Sequence, residues 1–325
     1  MVYNDISPRT QAHVDRKLLT RATPNNILGQ FGQSRTIPSK STKSITFRRF
    51  NKLTAATVPL LEGVTPNGKT LTKTDITVNL QQYGDFITIT DVIQDTHEDP
   101  VLQESTDILG EQSGETWDIL RAGTLKAGTS VFYANGVARN AVNTVVSRDQ
   151  LRTIARLLRR QHAKPIKEVI KAGPNVGTGP IRAAFIAVCH CDMFPDLEKM
   201  AGWKDVSEYP TAMGLIEGER GSVGDFRFVE DNNITPWADA GGAKGATLST
   251  TGVSSDVYPI LIFGKDAYAT VALAGKNAVS TYVNNPKPTD SDPLAQRGTV
   301  GWKGYTATAI LQDLWMMRVE TACIG

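Results

Sequence analysis

No stretch of this 325-residue sequence approaches the run of about 18 apolar residues that a membrane-spanning helix needs. The longest apolar runs, Ala183–Cys189 and Pro259–Phe263, are strand-sized. Cysteine is scarce: three residues cannot build the disulfide framework of a small secreted protein and fit a reducing compartment. The segment from Met1 to Arg21 is polar and lacks the apolar core of a signal peptide, so a soluble cytoplasmic protein is expected. Net charge of one sign is missing too. Thirty-five Lys+Arg against 33 Asp+Glu leave +2, so bulk charge points to neither nucleic acid nor membrane. No internal repeat is visible. With 40% apolar and 21% charged residues, the chain has an ordinary globular composition, and its length suits two lobes.

The even balance conceals blocks. Met1–Lys52 carries ten bases and two acids, or +8; Leu53–Gly128 carries four bases and twelve acids, or −8; Ser147–Lys171 returns to +6. Such blocks can meet within a subunit or between copies, or stay solvated. The first forty-odd residues, broken by Pro8, Pro24 and Pro38 beyond a short helix at Gln11–Arg21, read as an arm that needs another surface to lie on. Ile45–Phe50 and Thr74–Leu80 alternate as strands, and the roughly twenty residues between them make a long projecting hairpin. After a strand at Asp85–Thr90, Asp99-Pro100 opens a helix that runs to about Ala127, about 40 Å long. Ser147-Arg-Asp-Gln150 is a capping box, starting a helix whose apolar face is Leu151, Ile154, Ala155 and Leu158. Strands are then expected at Ile181–Cys189, Phe226–Glu230, Tyr258–Phe263, Ala278–Val283 and Tyr305–Val319, the last as one long or two short ones. The class is α+β.

Three motifs invite a chemical reading. Gly63-Val-Thr-Pro-Asn-Gly68-Lys69-Thr70 matches the phosphate-loop pattern, but a helix should start at the lysine and here a period-two pattern follows. Cys189-His190-Cys191-Asp192 packs four possible ligands into four positions, yet on a strand at most Cys189 and Cys191 share a side, and buried free cysteines are the simpler reading. His13, His97 and His162 lack an identifiable orienting acid for a Cys/His pair, and Glu217 and Glu219 read as a solvated glycine-bounded turn. No catalytic set, cofactor or metal site is expected.

The hairpin and its surroundings carry a resemblance. Phe47-Arg-Arg-Phe50, Pro59-Leu-Leu-Glu-Gly63-Val-Thr-Pro-Asn-Gly68 and Gln82-Tyr-Gly-Asp85 resemble the major capsid proteins of tailed bacteriophages, and most of all those of the N-four-like phages. Leu109-Gly-Glu-Gln112, Glu115-Thr-Trp-Asp118, Tyr258–Gly264, Asp292–Gly298 and Gly301-Trp-Lys303 continue it from about Ile45 to Glu320. One departure is His190-Cys191, where the family tends to carry His-Pro.

The resemblance implies the tailed-phage capsid fold of the Hong Kong ninety-seven type. Its parts would be an N-terminal arm (1–43), an extended hairpin loop (44–82), a peripheral domain with a spine helix (83–146), an axial domain (147–274) and a return to the peripheral domain (275–325). It further implies a structural protein that assembles as hexamers and pentamers into an icosahedral shell around double-stranded DNA, held without sequence preference. Portal, scaffolding and decoration proteins would be its other partners. An encapsulin-type nanocompartment is the alternative, and a nucleotide-binding enzyme using Gly63–Thr70 a remote one. The assembly interface expected on the hairpin comprises Arg48, Arg49, Leu60, Leu61, Gly63, Val64, Pro66, Gly68 and Lys69. Glu104 and Glu111 on the spine helix, and Arg152 and Arg156 on the basic helix, complete it.

Overall fold

A computed structural model describes residues 26–51, 53–60, 62–63, 65, 67–90, 101–171, 177–209, 215–274, 279–284, 288, 293–294 and 296–324. In chain order the elements are β1 Gln33–Ile37, β2 Ser44–Phe50, β3 Lys73–Asn79, β4 Gln81–Thr90, α1 Val101–Lys126, β5 Val131–Tyr133, α2 Arg148–Arg160, β6 Ile166–Lys171 and β7 Gly177–Cys189. There follow α3 Phe194–Glu198, β8 Trp203–Asp205, β9 Glu219–Val223, β10 Phe226–Glu230, β11 Tyr258–Phe263, β12 Tyr268–Leu273, β13 Val279–Asn284, β14 Arg297–Ile310 and β15 Met316–Thr321. The expected helix at Gln11–Arg21 and the Asp99-Pro100 cap lie outside the described residues.

Two sheets organise the molecule. The larger runs β5-β15-β11-β7-β10-β9-β8, with β6 also pairing with β7. Its central strands are the two apolar runs of the sequence, and both faces of them are covered, which is why they are apolar at every position. Phe185, Ala187, Cys189, Tyr258, Ile260 and Ile262 meet α2 and α3 on one side. Ile186, Val188, Leu261 and Phe263 meet the C-terminal end of α1 (Ala122, Leu125) together with Leu28 and Phe31 on the other. The cap of α2 forms as expected: the Ser147 hydroxyl accepts from the Gln150 amide, and Gln150 Oε1 accepts from the Ser147 amide at 2.8 Å. Such a cap contributes about 1 kcal/mol.

The smaller sheet is built around the 14-residue strand β14. β4 pairs along most of one edge of it, from Arg297↔Thr90 to Thr306↔Gln81. On the other edge, β13 and then β12 pair in turn, and β1 extends the sheet parallel to β12. α1 covers one face, where Trp117 packs edge-on to Trp302 at 5.3 Å with Ile89, Leu109 and Val300 around them. β2 and β3 form a separate two-stranded hairpin in register from Ser44↔Asn79 to Phe50↔Lys73. Its base packs on the smaller sheet through Ile37, Val78, Leu80 and Val271.

Three expectations need correction. Residues 26–37 are not an arm without a core: Leu28 is fully buried, Phe31 and Ile37 nearly so, and β1 adds to the edge of β12. The edge strand supplies unpaired backbone groups, so a polar five-residue segment becomes a strand without an apolar pattern of its own. The return of residues 275–325 to one sheet is also incomplete, since β12 already belongs to the smaller sheet and β15 crosses back to the larger. Finally, Glu219 is no solvated turn residue. Its side chain is fully buried against Arg227, which binds both carboxylate oxygens across the β9–β10 turn; Tyr209 donates to it as well, at 3.0 Å. Glu217 remains exposed.

Candidate functional site

The hairpin is the feature least supported by its own chain. Cross-strand polar pairs hold its stem: Arg48 and Lys73 both reach Asp75, at 3.0 and 3.1 Å, and Thr46 meets Thr77 at 3.2 Å. The Arg48 bond, then Lys73, hold the Asp75 carboxyl below its usual range. Arg49 donates to the carbonyl of Leu311 at 3.3 Å, bracing the stem against the end of β14. Beyond the stem the chain projects. Phe50, Leu53, Val58, Leu60 and Leu71 are all exposed, Val58 by 81% and Leu60 by 78%. Apolar exposure concentrated in this way on one projecting loop is uncommon on a lone soluble chain. Leu61, Val64 and Pro66 lie outside the described residues.

The phosphate-loop match falls at this tip. Gly63 takes φ +76°, an ordinary turn conformation for glycine, and a Cβ at Gly63 or Gly68 would meet nothing. Lys69 Nζ donates to the Thr54 carbonyl at 3.0 Å and to its hydroxyl at 2.9 Å, tying the two sides of the loop together. Thr70 leads within three residues into β3, not into a helix. The amide cradle and helix dipole that hold a phosphate are therefore not built here.

The other expected residues lie on separate surfaces. Glu104, Ile108, Glu111, Glu115 and Ile119 form one exposed stripe of α1 at helical spacing, acidic with two isoleucines. On α2, Arg152 pairs with Asp149 at 3.1 Å and Arg159 with Asp225 at 2.7 Å, while Arg156 is exposed beside them. The face of the smaller sheet away from α1 is open: Phe86 lies over Gly301, and Lys303 stacks on the exposed ring of Tyr282 at 5.0 Å. The structure does not gather these groups into one pocket.

Charged groups that sequence reasoning missed lie at the junction of the two sheets. Glu320, fully buried on β15, accepts a bidentate pair from Arg139 (2.8 Å each) and a third bond from Arg318 at 2.9 Å. Arg318 also binds the carbonyls of Lys126 and Gly128, closing the C-terminal end of α1. Trp237 receives Arg139 at 3.6 Å and Lys126 at 4.7 Å over its ring. On α1, Asp118 accepts from the Leu28 amide at 2.9 Å and faces Asp231, with Arg121 alongside. Burial, then Asp118, pushes Asp231 up to about 8, and burial raises Asp118 as well, so the two carboxylates hold a proton between them. These residues are far apart in sequence, and no local pattern signals them.

The cysteine segment differs from its strand reading. β7 ends at Cys189, which is buried, and Cys191–Met193 turn as a 3₁₀ helix. Burial holds the Cys189 thiol well above its usual value and raises Cys191 too, opposite to what a nucleophile requires. Of the candidate histidines, His162 is exposed at the end of α2, and His13 and His97 lie outside the described residues. Among the described residues no helix is long and apolar enough to cross a membrane.

Comparison with known proteins gives one family. A family model described as phage capsid protein matches residues 73–317, well over half of the chain. No curated protein sequence matches. Among solved structures, the capsid of Ralstonia phage GP4 is similar with a TM-score of 0.68 at 11% identity, covering 93% of this chain and 92% of that one. The capsid of cyanophage P-SCSP1u gives 0.62 at 14%, covering 92% and 88%, and that of cyanophage Pam1 gives 0.64 at 14%, covering 88% and 87%. At these identities the likeness is one of fold: the tailed-phage capsid fold of the Hong Kong ninety-seven type.

Proposed function

The chain belongs to the phage capsid protein family and is a structural component of the virion shell; from that premise we propose that it assembles as hexamers and pentamers into an icosahedral capsid around double-stranded DNA. In this reading the smaller sheet with α1 is the peripheral domain, and the larger sheet with α2 and α3 is the axial domain. Residues 44–82 are the extended loop. Residues 26–37 fasten the end of the arm to its own subunit, leaving the preceding residues for contacts elsewhere.

The observation that carries the proposal is the uncovered apolar tip. Leu53, Val58, Leu60 and Leu71 cost free energy in water on a lone subunit, and a neighbouring copy is the surface available at every position of a shell. Leu61, Gly63, Val64, Pro66 and Gly68 would share that contact. The acidic stripe of α1 with Glu104 and Glu111, and the basic face of α2 with Arg152 and Arg156, would meet other copies as weaker, repeated charge pairs. Arg48 and Arg49 would act mainly by stiffening the stem, since both are engaged within the chain.

The interior of such a shell meets DNA of any sequence, so contacts with it would be electrostatic and sequence-blind. Portal, scaffolding and decoration proteins would complete assembly in the host cytoplasm, and no step calls for catalysis. Electron microscopy of the expressed full chain tests this. Closed icosahedral particles with five-fold and six-fold clusters are expected; a population confined to monomers and small oligomers would reject it.

A further inference from the structure

The chain has three cysteines, and the end of β7 gathers chemistry around them that the shell does not use. His190 caps the 3₁₀ turn: its Nδ1 faces the Asp192 amide at 3.3 Å, a long contact that a bound cation would replace. The same Nδ1 stands 3.2 Å from Asp192 Oδ2 and 3.5 Å from Cys191 Sγ, and that sulfur is 3.5 Å from Asp192 Oδ1. All three ligand atoms fall within 4.8 Å of one another. A proton on Nδ1, or a cation in its place, holds that nitrogen and the carboxylate oxygen together. Bond lengths of about 2.0–2.3 Å to nitrogen, oxygen and sulfur in a tetrahedron set neighbouring ligands about 3.3–3.6 Å apart. The two separations from Cys191 Sγ, 3.5 Å each, lie at that spacing and the Nδ1–Oδ2 separation of 3.2 Å just below it, the sulfur and the nitrogen facing different oxygens of the one carboxylate.

We propose that His190 Nδ1, Cys191 Sγ and the Asp192 carboxylate form a binding site for a zinc-class divalent cation, with water as the fourth ligand. The ligand set of one imidazole, one thiolate and one carboxylate suits a borderline-soft ion better than magnesium or calcium, which prefer oxygen alone. The surroundings orient the ligands as outer-shell partners do. Tyr258 donates to Asp192 Oδ2 at 2.9 Å, and the Cys191 amide donates to Asn232 Oδ1 at 3.3 Å. The His190 and Asp192 side chains are partly exposed, which leaves an entry path. On binding, a sulfur–metal bond forms as the Cys191 thiol proton leaves to solvent. The ion would strengthen a junction already present, because Cys323 donates to the Asp192 carbonyl at 2.7 Å and the Ile324 amide to Asp196 at 2.6 Å. It would thus clamp the chain's C-terminal segment to the end of β7 and, through Tyr258, to β11.

The test is titration of the purified full chain with Co²⁺ as the probe, read by its thiolate-to-metal charge-transfer band and tetrahedral d–d bands, followed by Zn²⁺ displacement. One equivalent per chain is expected. Cys191→Ser should abolish the charge-transfer band, His190→Ala and Asp192→Asn should weaken binding at least tenfold, and Cys323→Ser should keep the band. Zn²⁺ should raise the unfolding temperature of the wild type and leave that of His190→Ala unchanged, a readout that holds if one variant folds poorly. No charge-transfer band in the wild type, or the same band in Cys191→Ser, would overturn the site.

Discussion

Replacing Asp231 by Asn should make the subunit more stable at neutral pH and remove part of its pH dependence. Asp118 on α1 and Asp231 beyond β10 are both almost fully buried and share a proton, leaving one negative charge opposite Arg121. Asp231 sits at about 8 in the folded chain against an ordinary 3.8. Because the folded value is the higher, this group's contribution to stability is fully present below about pH 4. It is then lost progressively as pH rises to about 8. At about 1.4 kcal/mol per unit, keeping the proton at pH 7 costs on the order of 4 kcal/mol. Asparagine has no proton to lose. Its Nδ2 can donate to Asp118 where the shared proton stood, and its oxygen can keep the bond that the Asn233 amide gives Asp231 at 2.9 Å. Urea unfolding of dissociated subunits, followed by tryptophan fluorescence at pH 5, 6, 7 and 8, measures this. The variant should exceed the wild type by a few kcal/mol in order of magnitude at pH 7, with the gap shrinking towards pH 4. Parallel pH profiles, or a variant weakened equally at every pH, would refute the shared proton.

Three further expectations follow from the same structure. Leu28→Ala should cost about 2–5 kcal/mol, since a fully buried side chain leaves a cavity between α1 and the larger sheet; deletion through Lys43, which also removes β1 and Phe31, should leave a chain that fails to fold, as circular dichroism and limited proteolysis would show. Lys69→Ala should lose only the exposed bonds to Thr54, changing stability by less than about 1 kcal/mol and leaving shells of normal appearance; magnesium-dependent ATP hydrolysis by the wild type that vanishes in this variant would restore the phosphate-loop reading.

Elements with local signatures were legible in the sequence. The capping box at Ser147, the apolar runs of β7 and β11, and the alternation of β2 and β3 each state their structure within a dozen residues. What could not be read depends on distant partners. Ser34, Arg35 and Thr36 are exposed, and they form a strand only because β12, some 236 residues later, offers them an edge. Glu219 looked like a turn residue because its neighbours are Gly218 and Gly221, while the reason for its burial, Arg227, lies across the next turn. Asp118 and Asp231, like Arg139 and Glu320, meet across more than a hundred residues. The His190–Asp192 group was misjudged by applying strand alternation past the point where the strand ends. The hairpin and its exposed apolar tip could be foreseen; that Arg48 pairs with Asp75 within the stem and Arg49 reaches the Leu311 carbonyl could not.

The central claim is that the hairpin tip joins one subunit to the next, and the double variant Val58→Asp/Leu60→Asp tests it most directly. Both side chains are exposed, so the substitutions should leave the subunit's fold unchanged, as circular dichroism would verify. Sedimentation velocity of the two purified proteins at equal concentration should then show shell-sized particles for the wild type and only subunits or small oligomers for the variant. Shell-sized particles in equal yield from the variant would contradict the account.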